Sequence, residues 1–121
     1  MTEPALIISN RDDVDWICLN RPAASNALNG ELTDSLYDYF TELRTKKSVR
    51  VVILQSKGRN FCAGLDLKAK DFGYSERSVS NAWSIQRRIG DIYRAMRRCP
   101  QPIVTLLQGA AVGGGFSLAL A

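Results

Sequence analysis

The chain has 121 residues, of which 45% are hydrophobic and 23% charged; these are globular proportions that argue against disorder, at a length that allows one domain. No segment approaches the ~20 consecutive apolar residues of a membrane-spanning helix, so no membrane partner is expected. The net charge of +4, from 16 Lys and Arg against 12 Asp and Glu, suits an anionic ligand and a plain soluble protein equally well.

Ala5–Ser9 and Val14–Leu19 are apolar, β-branched-rich runs around the polar Asn10–Asp13, which predicts a β-hairpin. Pro22 stops the second strand, because proline cannot donate to a ladder. Asn29 is placed to cap a helix, with Glu31 and Asp34 in the first turn. Leu32, Leu36, Phe40 and Leu43 then recur at spacings of four, four and three, one face of an amphipathic helix ending near Arg44–Lys47. Val49–Leu54 is nearly continuous in apolar residues, which predicts a parallel strand buried on both faces. Asp71–Ser80, with Gly73 and several serines, reads as a polar surface loop. Ala82, Ile85, Ile89, Ile92 and Met96 mark a second amphipathic helix with Arg87, Arg88, Arg94, Arg97 and Arg98 on its outer face, ended by Pro100 and Pro102. Ile103–Leu107 predicts another buried strand, and Gly113–Gly115 leads into a helix at Phe116–Leu118. Strand and helix alternate in the pattern of an α/β fold with a mainly parallel sheet.

The chain has no histidine. Ser-His-Asp and Cys-His nucleophiles and His-based zinc sites are therefore excluded within these residues, and no metal is expected. Catalysis would fall to carboxylates or backbone groups. Cys18, Cys62 and Cys99 are odd in number and widely spaced, so they define neither a disulfide framework nor a metal site; a reducing cytoplasm is the expected location. Glu3 and Pro4 stand where a secretory leader would be basic and then apolar, and none is expected.

Two glycine-containing loops each follow a strand. Phe61-Cys62-Ala63-Gly64-Leu65-Asp66 comes after Val52–Gln55, and Gly109–Gly115 comes after Thr105–Gln108. Helix starts present unpaired N–H groups, and two facing one point would bind a developing oxyanion. The rival reading is that the glycines only permit tight turns and close packing. A phosphate cradle fits neither loop, since the Lys-Ser/Thr of a P-loop is absent and Leu118 stands where a dinucleotide fingerprint needs glycine.

Asn26-Ala27-Leu28-Asn29, Phe61–Leu67 and Gly109–Gly115 together resemble, in order and separation, the three successive signature stretches of the crotonase (enoyl-CoA hydratase/isomerase) family. The resemblance implies that residues 1–121 form the N-terminal portion of one crotonase-like domain, a spiral of strand-strand-helix units. It implies an enzyme acting on acyl-CoA thioesters, with coenzyme A as part of the substrate, no separate cofactor, and a trimer or dimer of trimers. By position, the N–H groups of Leu65 and Gly114 would form the oxyanion hole and stabilise an enolate. Ala63 would meet the CoA adenine, the Arg21–Leu28 loop with Ala24 and Asn26 would lie against the CoA moiety, and Asp66, Gly113 and Ser117 would adjoin the substrate.

The chain departs from the hydratases of that family at Ser117, where they carry the first of two glutamates. Serine without a partner is no general base at neutral pH, which favours double-bond isomerisation or another enolate reaction over hydration. Asp66 reads more readily as an acid near a helix start than as a catalytic group, Asp71 as a solvated loop residue, and Ser117 as a buried, hydrogen-bonded hydroxyl before a substrate contact. A non-catalytic acyl-CoA-binding module is the alternative. RNA association through the arginine-rich helix is disfavoured, because aromatics do not interleave with the arginines as a stacking surface requires.

Overall fold

The computed structural model describes residues 3–70 and 78–121. Strands β1 (Leu6–Arg11) and β2 (Val14–Leu19) form an antiparallel hairpin in which Arg11 faces Val14, so the turn is Asp12 and Asp13 alone. The expected turn also took in Asn10 and Arg11. Both stay in the strand because each has a cross-strand partner: Asn10 donates to Asp15 at 2.7 Å, and the Arg11 guanidinium lies 5.2 Å from the Trp16 ring centre. Asp12 takes the left-handed conformation (φ 58°), which aspartate tolerates.

Helix α1 (Gly30–Leu43) begins as the sequence predicts, with the Asn29 side chain accepting the Leu32 N–H at 2.9 Å. Leu32, Leu36, Phe40 and Leu43 are fully buried, in one apolar cluster with Ile17 and Leu19 of β2 and with Val52 and Leu54 of β3 (Val51–Ser56). Burying side chains of this size is worth about 1.5–3 kcal/mol each, so the helix is held by packing more than by propensity. Tyr39, on the same helix, donates at 2.6 Å to the buried carboxylate of Asp15.

The sheet runs in the order β1-β2-β3-β4, with β2–β3 and β3–β4 parallel. Two strand expectations are corrected. First, β3 is buried on one face only: Val52 and Leu54 lie under the cluster around α1, while Val51, Ile53 and Gln55 on the other face stay partly exposed. Second, β4 is only Ile103–Thr105, and Leu106 and Leu107 are exposed. The chain turns off after Leu106 donates to the Leu54 carbonyl at 2.9 Å, and Gln108 is held instead by the Ser56 carbonyl at 2.7 Å.

Helix α2 (Val79–Arg98) is capped by Ser78, which accepts from Asn81 at 3.0 Å. Ile85, Ile89, Ile92 and Met96 are buried as the spacing predicts, but Ala82 is exposed because the buried stripe begins one turn later. Arg88 pairs with Asp34 of α1 at 2.6 Å, and the other named arginines face solvent. Between Pro100 and Pro102, Gln101 donates to the carbonyls of Leu43 and Lys46 at 2.9 and 3.1 Å, tying the α2–β4 connection to the turn that follows α1. Helix α3 (Gly114–Leu120) anchors through the fully buried Leu118. The loop expected at Asp71–Ser80, including Asp71, lies outside the described residues up to position 77.

Candidate functional site

Residues 21–28 close on themselves first. Pro22–Ala24 is a single 3₁₀ turn, Ser25 and Asn26 both take left-handed φ angles of 52° and 55°, and the Ala24 carbonyl accepts the Ala27 N–H at 3.0 Å. Ala24 is half-buried. Asn26 is completely buried, and its side chain is consumed by the protein: it donates to the Lys57 and Asn60 carbonyls at 2.8 and 2.9 Å and accepts the Arg21 N–H at 2.8 Å. The expectation that Asn26 contacts a ligand is corrected on this ground. Its amide can serve a site only by fixing the loop's shape.

The segment 61–66 is wedged between that loop and the segment 110–114. On one side Leu28 donates to the Gly64 carbonyl at 2.7 Å and its own carbonyl accepts Asp66 N–H at 2.9 Å. On the other, Cys62 donates to Ala110 at 3.2 Å and accepts from Val112 at 3.1 Å. These are two short parallel bridges, Leu28 to Leu65 and Cys62 to Ala111. Gly64, at φ 96°, lets the backbones meet: a Cβ there would stand 3.0 Å from the Val112 carbonyl oxygen and 3.6 Å from the Gly114 nitrogen.

The ladder fixes where the unused groups point. In a parallel bridge the residue flanked by the two bonded neighbours turns its own N–H and C=O the opposite way. Leu65 therefore directs its N–H away from Leu28, on the side where Gly64 meets Val112–Gly114. Gly113 (φ 55°, ψ −124°) holds a conformation open in practice to glycine alone, and from it α3 begins at Gly114. Among the described residues, neither the Leu65 nor the Gly114 N–H has an acceptor. The expected pair of backbone donors is thus brought to adjoining loops, with both N–H groups uncommitted.

The remaining expected residues surround this point unequally. Ala63 is exposed and donates to the Ser25 carbonyl at 3.0 Å. Both oxygens of Asp66 are engaged, one with Arg21 at 3.0 Å and one with the Lys68 N–H at 3.1 Å. Arg21 also donates to the Ala27 carbonyl, so the pair ties the two loops together. Ser117 is exposed, not buried, and its N–H closes the first turn of α3 on the Gly113 carbonyl at 3.1 Å. Cys62 is fully buried with its thiol donating to Asn26 at 3.1 Å, and burial pushes its pKa up. A protonated, inaccessible thiol is a packing group and no nucleophile.

Tyr93 of α2 escaped the sequence reading. Its hydroxyl donates to the Gly114 carbonyl at 2.8 Å and lies 3.3 Å from where a Gly114 Cβ would be. The available signal was its place four residues after Ile89, beside the buried stripe, where an aromatic with a polar tip packs its ring and presents its oxygen.

A chain with this wedge of three loops under a mainly parallel sheet matches the sequence profile of the enoyl-CoA hydratase/isomerase family over residues 10–121, and belongs to that family. It is 33% identical over 106 residues to the human enoyl-CoA hydratase domain-containing protein 2, mitochondrial, covering 87% of this chain and 35% of that protein. Against the 1,2-epoxyphenylacetyl-CoA isomerase of Escherichia coli (strain K12) it is 29% identical over 104 residues, covering 86% of this chain and 40% of that one. A solved enoyl-CoA hydratase of Mycobacterium smegmatis superposes with a TM-score of 0.84 at 34% identity, over 90% of this chain and 42% of that one. The fold is thus the crotonase-like fold of these enzymes. The chain spans less than half the length of the relatives it matches.

Proposed function

We propose that this chain carries the thioester-activating part of an enzyme that acts on enoyl-CoA substrates through an enolate. The observation behind it is the pair of uncommitted N–H groups, Leu65 and Gly114, on two loops locked side by side by the Leu28–Leu65 and Cys62–Ala111 bridges. Two such donors aimed at a thioester carbonyl would stabilise the charge that develops on its oxygen, each worth about 3–4 kcal/mol in comparable sites. Because both loops are pinned by backbone bonds, little reorganisation would accompany reaction. Ala63, Ala24 and Gly113, all at the rim, would lie along the CoA moiety, whose anionic groups the net charge of +4 favours.

Among the family's reactions, Ser117 favours double-bond isomerisation over hydration. A hydroxyl in that position cannot take a proton from water at neutral pH, and the nearby Tyr93, which donates to the Gly114 carbonyl, has its pKa pushed up to about 12, chiefly by burial. The same serine supports a second reading, a module that binds acyl-CoA without turnover. The two part on whether a bound enoyl thioester exchanges its α or γ hydrogens with deuterated water. We place the protein in a reducing compartment such as the cytoplasm, supported by three free thiols. We also read it as a homo-oligomer, supported by exposed apolar side chains at Val104, Leu106, Leu107 and Phe116.

The deciding variant is Gly114→Pro, which removes one donor at a first-turn position that proline accepts. In the whole protein, with its thermal midpoint checked, turnover of an enoyl-CoA should be lost by about 10²–10³-fold. Retained turnover would sink the assignment.

A further inference from the structure

The run Gly113-Gly114-Gly115 poses a physical problem for any site built on it. Three consecutive glycines have the widest conformational freedom of any sequence, yet a donor must hold its aim within about half an ångström to stabilise charge. Something has to fix the first turn of α3 from outside. One side is fixed by Cys62: a Cβ on Gly115 would stand 2.3 Å from its carbonyl oxygen. On the other side stands Tyr93. Its hydroxyl donates to the Gly114 carbonyl at 2.8 Å, at the first residue of α3. The ring is half-buried on α2, on a stripe carrying the buried Ile89, Ile92 and Met96, so the oxygen is delivered from a rigid element.

We infer that Tyr93 is a positioning residue: by gripping the Gly114 carbonyl, it holds the first turn of α3 so that the Gly114 N–H stays directed at the thioester oxygen. This rests on the oxyanion-hole reading above. Burial keeps the phenol protonated through the physiological range, with an acidity pushed up to about 12, so it is always a donor. Tyr93 takes no proton and touches no reacting atom; it acts through Gly114.

The test uses the whole protein and a chromophoric aryl-acryloyl thioester of coenzyme A, whose long-wavelength band moves to the red as its carbonyl is polarised. If the wild type binds the probe with no red shift, the oxyanion-hole reading itself has failed. If the wild type shows a shift, Tyr93→Phe should lose about half of it or more, with kcat falling about tenfold and probe affinity within about threefold of wild type. A Tyr93→Phe protein with the full red shift per bound probe overturns the inference, whether its affinity and thermal midpoint are unchanged or both lowered; the second case would make Tyr93 a packing residue only. Should that variant not fold, a fluorinated tyrosine placed at position 93 keeps the shape and brings the phenol's ionisation into an accessible range. The red shift should then vanish as pH rises through the fluorinated phenol's pKa, because a phenolate cannot donate to a carbonyl. A shift independent of pH there also overturns it.

Discussion

A glycine of ordinary φ at the start of α3 makes the sharpest test of the architecture, because a substitution there meets crowding without backbone strain. A Cβ added at Gly115 would stand 2.3 Å from the Cys62 carbonyl oxygen, 2.7 Å from its Cβ and 2.8 Å from its carbonyl carbon. Ordinary contact begins near 3.4 Å, so the start of α3 would have to retreat by roughly 1 Å. Cys62 cannot give way. It is fully buried, bonded through its N–H to Ala110 and through its carbonyl to Val112, and its thiol is bonded to Asn26. The retreat would stretch the 3.1 Å bond from Val112 to Cys62 and carry the Gly114 N–H with it.

Gly115→Ala should therefore cost about 1–3 kcal/mol of stability, the usual range for overpacking, read as a lower urea midpoint at unchanged slope. A displacement of about 1 Å at a catalytic donor should also lower kcat by roughly 10²-fold, beyond what lost stability explains. Gly114→Ala is the internal comparison. Its Cβ would meet the Leu28 Cδ1 and the Tyr93 hydroxyl at 3.3 Å each, with the Gly64 Cα at an ordinary 4.0 Å. Each contact needs only a tenth or two of an ångström of relief, against about 1 Å at Gly115, so it should cost less than about 1.5 kcal/mol. Equal midpoints and equal kcat for Gly115→Ala and the wild type would show that the two loops do not approach as described. A larger loss for Gly114→Ala than for Gly115→Ala would reverse the argument about which neighbour is rigid.

Asp66→Asn separates a tether from an acid. The pair with Arg21 is only partly exposed, and its loss should cost about 1 kcal/mol or less, with kcat within about threefold of wild type; a drop of more than about 10²-fold with stability intact would make Asp66 catalytic. Alkaline pH should weaken the fold. Cys62 and Tyr93 both hold their protons more tightly folded than unfolded, mainly through burial, so their contribution is complete below their ordinary values of 9.0 and 10.0 and is lost as pH rises through the raised ones. Urea midpoints should be level near neutrality and fall from about pH 9 upward; a midpoint that rises between about pH 9 and 11 would contradict the sign.

What could be read from the chain beforehand was whatever repeats along it. The periods of Leu32–Leu43 and Ile85–Met96 gave α1 and α2, because a buried face recurs with the helix turn, and Asn29 gave the helix start because its side chain bonds only three residues ahead. The glycine loops were legible as loops for the same local reason. Asn26 was not legible as a buried strut: its partners Lys57 and Asn60 lie 31 and 34 residues away, and nothing about a polar residue in a loop tells which carbonyls will close over it. Tyr93 failed in the same way, being 21 residues from Gly114. The strands were over-read for a different reason. Apolar runs at Val49–Leu54 and Ile103–Leu107 state that side chains are apolar, while burial also requires something to cover each face, and Leu106 and Leu107 in this structure remain exposed.

The distinction between stabilising charge and moving protons decides how far the site constrains the reaction. Two backbone donors lower the barrier to any step that loads negative charge onto a thioester oxygen, so they serve isomerisation, hydration and other enolate chemistry alike. Choosing among these belongs to whatever accepts or delivers the proton. Around Gly114 the side chains are poor candidates: Ser117 is a bare hydroxyl, the Tyr93 phenol is pushed up to about 12 and donates to the Gly114 carbonyl, and the Cys62 thiol is buried with its pKa raised. Asp66 is a carboxylate, but both its oxygens are engaged, with Arg21 and with the Lys68 amide. Deprotonation next to a thioester carbonyl needs a carboxylate or equivalent base held within hydrogen-bond reach of the α carbon's proton, and these loops offer none that is free. On the proposed reading the loops would select the thioester and polarise its carbonyl, and the direction of proton movement would fall to a base that these loops do not supply. For that reason Ser117 excludes only the water-activating glutamate at its own position, and does not by itself exclude catalysis.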